Sequence, residues 1–401
     1  MAAHVEASAP GKVILFGEHS VVYGKPAVAA AVALRTSSQL TSPAPDGTPT
    51  LTVELPDIGV TRTWPLERLQ VFLASDDAGV LADAPLPLAS PPRPEPALVD
   101  ALTASLLEDG DHAAIAAFLY LYIGILRRAD GTVPSGKVRA ASQLPIGAGL
   151  GSSAAFSACL AAAAMRASPQ AAAELQWGDE TSGEAAPAPA TLDAINAWAF
   201  CAEVVIHGTP SGIDNTVSTF GAAVRYEAAV SSPVALPSLS LLLVDTRVPR
   251  STKTLVAGVR AKRDTFPDVM DPVLDAMGAL ADSAVGVLSA LAHSPASDDA
   301  VSELGELVET NQALLAAIGV SHPALATVMT TAARHGFPAK LTGAGGGGCA
   351  IILLPPGCDA AVEDALVAEL ESMVFYNNEH VKVIRTSIGT PGVTLRLCPT
   401  L

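Results

Sequence analysis

The segment Ser142-Gln-Leu-Pro-Ile-Gly147-Ala-Gly149-Leu-Gly151-Ser152-Ser153 carries three glycines at alternating positions, followed by two hydroxyls. Such glycines let a backbone curl until several N–H groups point inward. A helix starting at the serines would add unpaired N–H donors and partial positive charge. Gly147, Ala148, Gly149, Leu150, Gly151, Ser152 and Ser153 are therefore a candidate anion cradle. Neither the Walker pattern nor GxGxxG is matched; for the latter the third glycine comes one residue early. Taken alone, the same residues also read as a Gly-rich turn before a helix with a serine N-cap.

A second stretch, Glu203-Val-Val-Ile-His207-Gly-Thr-Pro-Ser-Gly-Ile-Asp214, begins on a helical pattern. Spacing of 3.6 residues puts Glu203 on one face with Leu192, Asn196, Ala199 and Ile206. That face is mostly apolar, so Glu203 is expected to point inward. A buried carboxylate needs a cation, a metal or a proton. Asp214 follows a Pro-Ser-Gly turn that can hold a side chain out of a regular lattice; alone, it also reads as a turn-capping aspartate. His207 reads as a helix C-terminal residue favoured by the dipole. A third stretch, Lys340-Leu-Thr-Gly343-Ala-Gly345-Gly346-Gly347-Gly348-Cys349, is glycine-dense but flanked by apolar residues, which points to a ligand-facing loop rather than a linker.

These groups need elements to place them. Residues 12–16 read as a buried strand ended by Gly17, and 51–55 as another stopped by Pro56. Residues 80–97 read as a loop, 98–128 as one or two helices, and Val138–Ala141 as a strand entering the glycine loop. Ser152–Arg166 and Leu192–His207 read as helices, the latter stopped by Gly208 and Pro210. Between Ser168 and Ala190, Ala, Pro, Gly and acidic residues dominate, and a mobile surface insertion is expected. A second domain is expected from about residue 230, after Ser231-Ser232-Pro233, giving domains of 1–230 and 231–401. It opens with a strand at Leu239–Val244, continues as helices to Arg334, and returns to a strand at Cys349–Leu354.

The chain has 401 residues, 23 Lys+Arg against 40 Asp+Glu, a net charge of −17 and half of its residues apolar. The length is ample for a sizeable core. The acidic balance argues against nucleic acid and against anionic membrane surfaces as partners. Mean hydropathy is +0.39. The longest apolar run is Ala113–Leu126, and fourteen helical residues reach only about 21 Å against a bilayer core of about 30 Å. A soluble, Ala-rich protein is the reading. Neither end shows a targeting or lipidation pattern. Five cysteines (159, 201, 349, 358, 398) form an odd set with no CxxC pair, which suits a reducing, cytoplasmic compartment better than a disulfide framework.

Together these segments resemble the GHMP kinases. Ala9-Pro10-Gly11-Lys12-Val-Ile-Leu-Phe-Gly17-Glu18-His19-Ser-Val-Val-Tyr23-Gly24 is similar to the first motif of the mevalonate kinase branch. His207-Gly-Thr-Pro-Ser-Gly-Ile-Asp214-Asn215 and Val248-Pro-Arg-Ser-Thr-Lys253 resemble that branch as well. Galactokinases usually continue Gly-Glu-His differently. Ile146 stands where the family commonly has a second proline, which alters loop stiffness and no functional group. The resemblance runs from residue 8 to beyond 350.

It implies an α+β fold of two domains, an N-terminal one like ribosomal protein S5 domain 2 and a ferredoxin-like C-terminal one, with the active site in the cleft between them. The implied reaction moves the γ-phosphoryl of ATP to the C5 hydroxyl of (R)-mevalonate for isoprenoid and sterol synthesis, with Mg²⁺. It also implies a homodimer and prenyl diphosphates competing with ATP. By motif, Gly147–Ser153 cradle the triphosphate, Ser153 and Glu203 hold Mg²⁺, and Asp214 is the base. Lys12, which alone reads as a solvated strand-end lysine, sits beside Asp214 and stabilises the transferring charge. Glu18, His19 and Thr252 hold mevalonate or line its pocket. Ser142 and Asp57 match nucleotide-side positions, although at the latter the family often has Asn. Gly343–Gly348 close on the site. A kinase for galactose or homoserine, and a non-catalytic ATP-binding sensor, are the alternative readings on this fold.

Overall fold

The Lys12 segment is the end of a long strand, β1 (Ala3–Phe16), in the computed structural model, which describes residues 3–44, 47–83, 86–108, 113–145, 147–178, 187–294 and 297–397. β1 pairs antiparallel with β2 (Ala27–Ser42) over most of its length. β2 in turn pairs with β5 (Gly136–Ser142), which runs parallel to β3 (Thr50–Leu55) of the hairpin β3–β4 (Val60–Pro65). The hairpin β6 (Ala223–Glu227)–β7 (Val230–Val234) is added to the first residues of β2.

The helix Ser152–Ala167 lies across β1 and β2 and is buried from Ala154 to Met165. Its alanines explain the fit, because small side chains let a helix axis approach a sheet closely while still excluding water. The apolar run Ala113–Leu126 is a core helix, buried from Ile115 onward, against Ser152–Ala167 and Pro189–His207. Ala113–Leu126 is too short to cross a membrane, but among the described residues Pro189–His207 and Pro267–His293 are long and apolar enough to do so. Both are amphipathic packing helices here, one set against the sheet's helix layer and the other against the helix Asp298–Ile318.

The second domain is a four-stranded antiparallel sheet built from β8 (Leu239–Asp245), β9 (Ala339–Leu341), β10 (Cys349–Leu353) and, after the small hairpin β11 (Val374–Tyr376)–β12 (Glu379–His380), β13 (Lys382–Ile388). Its spatial order is β13-β8-β10-β9. Numbered within the domain, that is 4-1-3-2, the ferredoxin-like arrangement. The helix Pro323–Arg334 precedes its second strand and Ala360–Glu371 its fourth. The two sheets are continuous, because β13 meets β2 at Ile388 and Val32. β14 (Thr394–Leu397) then returns to the first domain and pairs with β1.

Several boundaries differ from the sequence reading. Ser231-Ser232-Pro233 lies inside β7, on the hairpin attached to β2, and the chain enters the second sheet only at Leu239. Pro233 is tolerated there because β7 pairs on one side only. The segment taken as a loose insertion at 168–190 starts with structure: Ser168 caps a short helix, Pro169–Glu174, whose Ala171 is buried. Pro189 is the first residue of the next helix, where a missing N–H costs nothing. Within the expected insertion, residues 179–186 lie outside the described residues, as do Ile146 and Cys398.

Candidate active site

Gly147, Gly149 and Gly151 all take positive φ, 73°, 75° and 71°. The turn needs this at Gly151, where a side chain would also approach Lys12 Cγ to 2.9 Å. Gly151, not a serine, is the helix N-cap, and no side chain caps the first turn. Those N–H groups stay open, as an anion cradle requires. The Lys12 N–H donates to the Leu150 carbonyl at 2.8 Å, tying the cradle to β1.

The two serines are therefore free for other work. The Ser153 hydroxyl donates to Glu203 Oε2 at 3.1 Å, and Ser157 donates to Glu203 Oε1 at 3.3 Å. Glu203 is buried, as its helix face predicts. Burial pushes its pKa up to about 7; the neighbouring Asp214 adds to this, while the two serines and Lys12 work against it. His207 lies one turn on, 3.2 Å from Ser153 Oγ. Ser153 has one proton and gives it to Glu203, so His207 Nε2 must donate to Ser153. His207 is thus part of this cluster and more than a helix-end residue. Its i,i+4 spacing from Glu203 was the signal for it.

A hydroxyl and one carboxylate at an anion cradle suit Mg²⁺, which keeps water and phosphate oxygens as its other ligands. The carboxylate's burial, which raises the cost of its charge, fits a cation at this place.

Asp214 is in the first turn of the helix Ile213–Phe220, behind Gly212 at φ 86°. It caps nothing. Its Oδ1 lies 3.2 Å from Lys12 Nζ, with Lys12 nearly buried and the Asp214 side chain 37% exposed. One oxygen is thus fixed by the lysine while the carboxylate stays reachable from the cleft. Asn215 holds the helix in place by donating to Asn196 Oδ1 at 2.7 Å.

The second domain meets the cradle through Arg250. Its Nη2 donates to the Ala148 carbonyl at 2.7 Å, while Nη1 is buried with no partner. Gly149, Gly343 and Gly348 leave room for the guanidinium; a side chain at Gly149 would collide with Nη2. An unpaired guanidinium N–H beside open backbone donors is a further element of an anion site. Thr252, expected at the substrate pocket, heads the helix Thr252–Thr265 with an exposed side chain, and so does Lys253. Arg250 is the residue of this segment that reaches the cradle.

Glu18 and His19, also expected at the substrate, meet the second domain here. Both are buried. Glu18 pairs one oxygen with Lys340 and accepts from Asn311 Nδ2 with the other at 3.1 Å. His19, at φ 62°, lies 2.8 Å through Nε2 from the Ala344 carbonyl. The carbonyl can only accept, so Nε2 carries the proton and donates, and burial lowers the ring's pKa. Asp57 and Ser142 do come together: the Ser142 N–H donates to Asp57 Oδ2 at 2.6 Å. They border a largely apolar cavity of about 300 Å³ that reaches Ser152, Ser153, Phe156 and Ile206.

Residues 117–222 match the family described as GHMP kinases N terminal domain, and 289–372 match GHMP kinases C terminal. The mevalonate kinase of Mus musculus is 42% identical over 395 residues, covering 96% of this chain and 94% of its own. That of Homo sapiens is 40% identical over 398 residues, covering 98% and 95%. The crystal structure of L. major mevalonate kinase in complex with R-mevalonate shares the fold at TM-score 0.66 and 24% identity, over 96% of each chain. With this identity along nearly its full length and both family models matched, the chain belongs to the mevalonate kinase family of the GHMP kinases.

Proposed function

We propose that the protein transfers the γ-phosphoryl group of ATP to the C5 hydroxyl of (R)-mevalonate, giving 5-phosphomevalonate and ADP. The observation that carries this is the Lys12–Asp214 pair, set at the end of the strand that is hydrogen-bonded to the cradle. Asp214 accepts the hydroxyl proton, the oxygen bonds to the γ-phosphorus, and the bond from that phosphorus to the β-phosphate oxygen breaks. ADP leaves with the electron pair. Lys12 holds Asp214 and offers positive charge to the transferring group. Positioning and charge stabilisation carry most of such a reaction.

Ser153 and Glu203 would hold Mg²⁺, which supplies charge neutralisation at the phosphates. The first-turn N–H groups and Arg250 bind phosphate oxygens. The apolar cavity at Asp57 and Ser142 takes the base, or the chain of a prenyl diphosphate that competes with ATP. A homodimer and a cytoplasmic location, supported by the family resemblance, complete the proposal, with the division into two domains moved from residue 230 to the stretch between β7 and Leu239.

The test is a coupled assay of ADP release by pure protein with mevalonate, galactose or homoserine. Turnover with mevalonate alone is expected. Turnover with galactose or homoserine instead would move the protein to another GHMP activity, and ATP binding without turnover would favour a sensor.

A further inference from the structure

In the segment 340–344 of the second domain, Lys340, Thr342 and Ala344 hold the end of β1 and the turn that follows it. Thr342 Oγ1 donates to the Ile14 carbonyl at 3.0 Å and accepts the Ile14 N–H at 3.2 Å. The Ala344 carbonyl takes the His19 ring. Lys340 Nζ pairs with Glu18 Oε1 and also donates to the Leu341 carbonyl at 2.7 Å. Asn311 donates to Glu18 Oε2 and, at 3.4 Å, to the Leu15 carbonyl. Both charged side chains of the pair are 0% exposed.

This is a costly way to join two domains. Two charges are removed from water, and burial weakens the lysine's hold on its proton despite the glutamate. Asn311 leaves its Oδ1 buried without a partner to aim both amide protons at the β1 end. Apolar residues would pack there at lower cost, so the network specifies a geometry more than it stabilises. What it aligns can be followed along the chain. Segment 340–344 includes Gly343, which packs on the Arg250 guanidinium, and Arg250 holds Ala148 of the cradle. On the other side, β1 carries Lys12 and so Asp214.

We propose that Lys340, with Asn311, is a positioning residue for phosphoryl transfer: by clamping Glu18 it keeps the Arg250-braced cradle in register with the Lys12–Asp214 pair. The proposal rests on the reaction assigned above. A shift of about 1 Å between donor and acceptor is enough to cost about a hundredfold in rate.

The test is a double-mutant cycle in the full chain with Lys340→Met, Glu18→Gln and the combined variant, plus Asn311→Ala. Melting, kcat and the KM of each substrate are measured. Each single variant strands a buried polar or charged group. kcat is expected to fall about thirtyfold or more in Lys340→Met, and the combined variant to recover about tenfold of it, because partners in one network are non-additive. The KM for ATP should change less than about threefold, since binding survives a misaligned transfer. Asn311→Ala keeps the ion pair and should lose about tenfold in kcat; it decides the matter if Lys340→Met does not fold. Lowered melting with kcat within threefold of wild type would make the network purely structural and overturn the proposal, as would effects that simply multiply. Wild-type turnover of mevalonate is read in the same assay. A wrong substrate therefore shows in the unmutated chain, and a wrong role for Lys340 only between variants.

Discussion

Two carboxylates in this site have opposite surroundings, and their roles follow from that. Asp214 is partly exposed and held by a lysine, so a substrate hydroxyl can reach it, as the proposed base requires. Glu203 is buried and held by hydroxyls that favour its charge without neutralising it. Asp214→Asn should lower kcat by about a hundredfold or more, in the range of a lost general base, while ATP still binds. Steady-state kinetics with a nucleotide-binding measurement checks this, and activity within threefold of wild type would remove Asp214 as base. Glu203→Gln keeps the shape and removes the charge. It should mainly raise the Mg²⁺ concentration needed for half-maximal rate, read from a metal titration after chelation. An unchanged titration would reassign Glu203 to structure. Asp214 as base came from the family motif, since its turn alone also read as a cap, whereas the inward-facing Glu203 was legible from helical spacing. Glu18 was not, since its partner Lys340 is 322 residues away and no local pattern encodes that meeting.

At the scale of elements, one loop conformation serves both domains. The cradle turns through left-handed glycines, and the absence of a side chain at Gly149 is what admits Arg250 from the other domain. Gly149→Ala combines an unfavourable φ of 75° with a collision against the guanidinium. Left-handed backbone alone costs about 1–2 kcal/mol for a residue with a Cβ, so the KM for ATP should rise about tenfold or more. Substrate titrations check it, with Gly147→Ala as comparison because a side chain there meets open space. The glycine spacing announced this loop; the Val248–Lys253 motif offered Arg250 and Lys253 as candidate phosphate contacts, and tertiary contact brings Arg250 to the cradle. Element ends were read less well for the same reason. Ser231-Ser232-Pro233 has turn composition, yet pairing with β6 keeps it extended. Ser168 looked like the start of a loose stretch, yet it caps a helix.

At the scale of the molecule, the first domain is finished by the last strand described. β14 pairs with β1 at residues 5–8, and Arg35 donates to the Pro391 and Gly392 carbonyls. Val393 and Leu395 are buried. Removing residues 393–401 should cost about 3 kcal/mol or more, from two apolar side chains at roughly 1.5–3 kcal/mol each. A lowered denaturation midpoint checks it, together with reduced activity, since β1 also carries Lys12. The net charge of −17 belongs to this scale as well. It argues against long polyanions as partners but not against a small phosphate ligand, because salt screens surface charge beyond roughly 10 Å and the cradle acts at contact.

The return of β14 also sets an order of events during synthesis. Ser8 and Thr394 bond to each other across 386 positions of chain. While a ribosome is still making the second domain, the outer edge of β1 has no strand to pair with, although β2 and the helix Ser152–Ala167 are already available. An unpaired edge is a template for pairing with other chains. The nascent first domain is thus exposed to that hazard for most of its translation time, and it is relieved only when residues 394–397 emerge and close it.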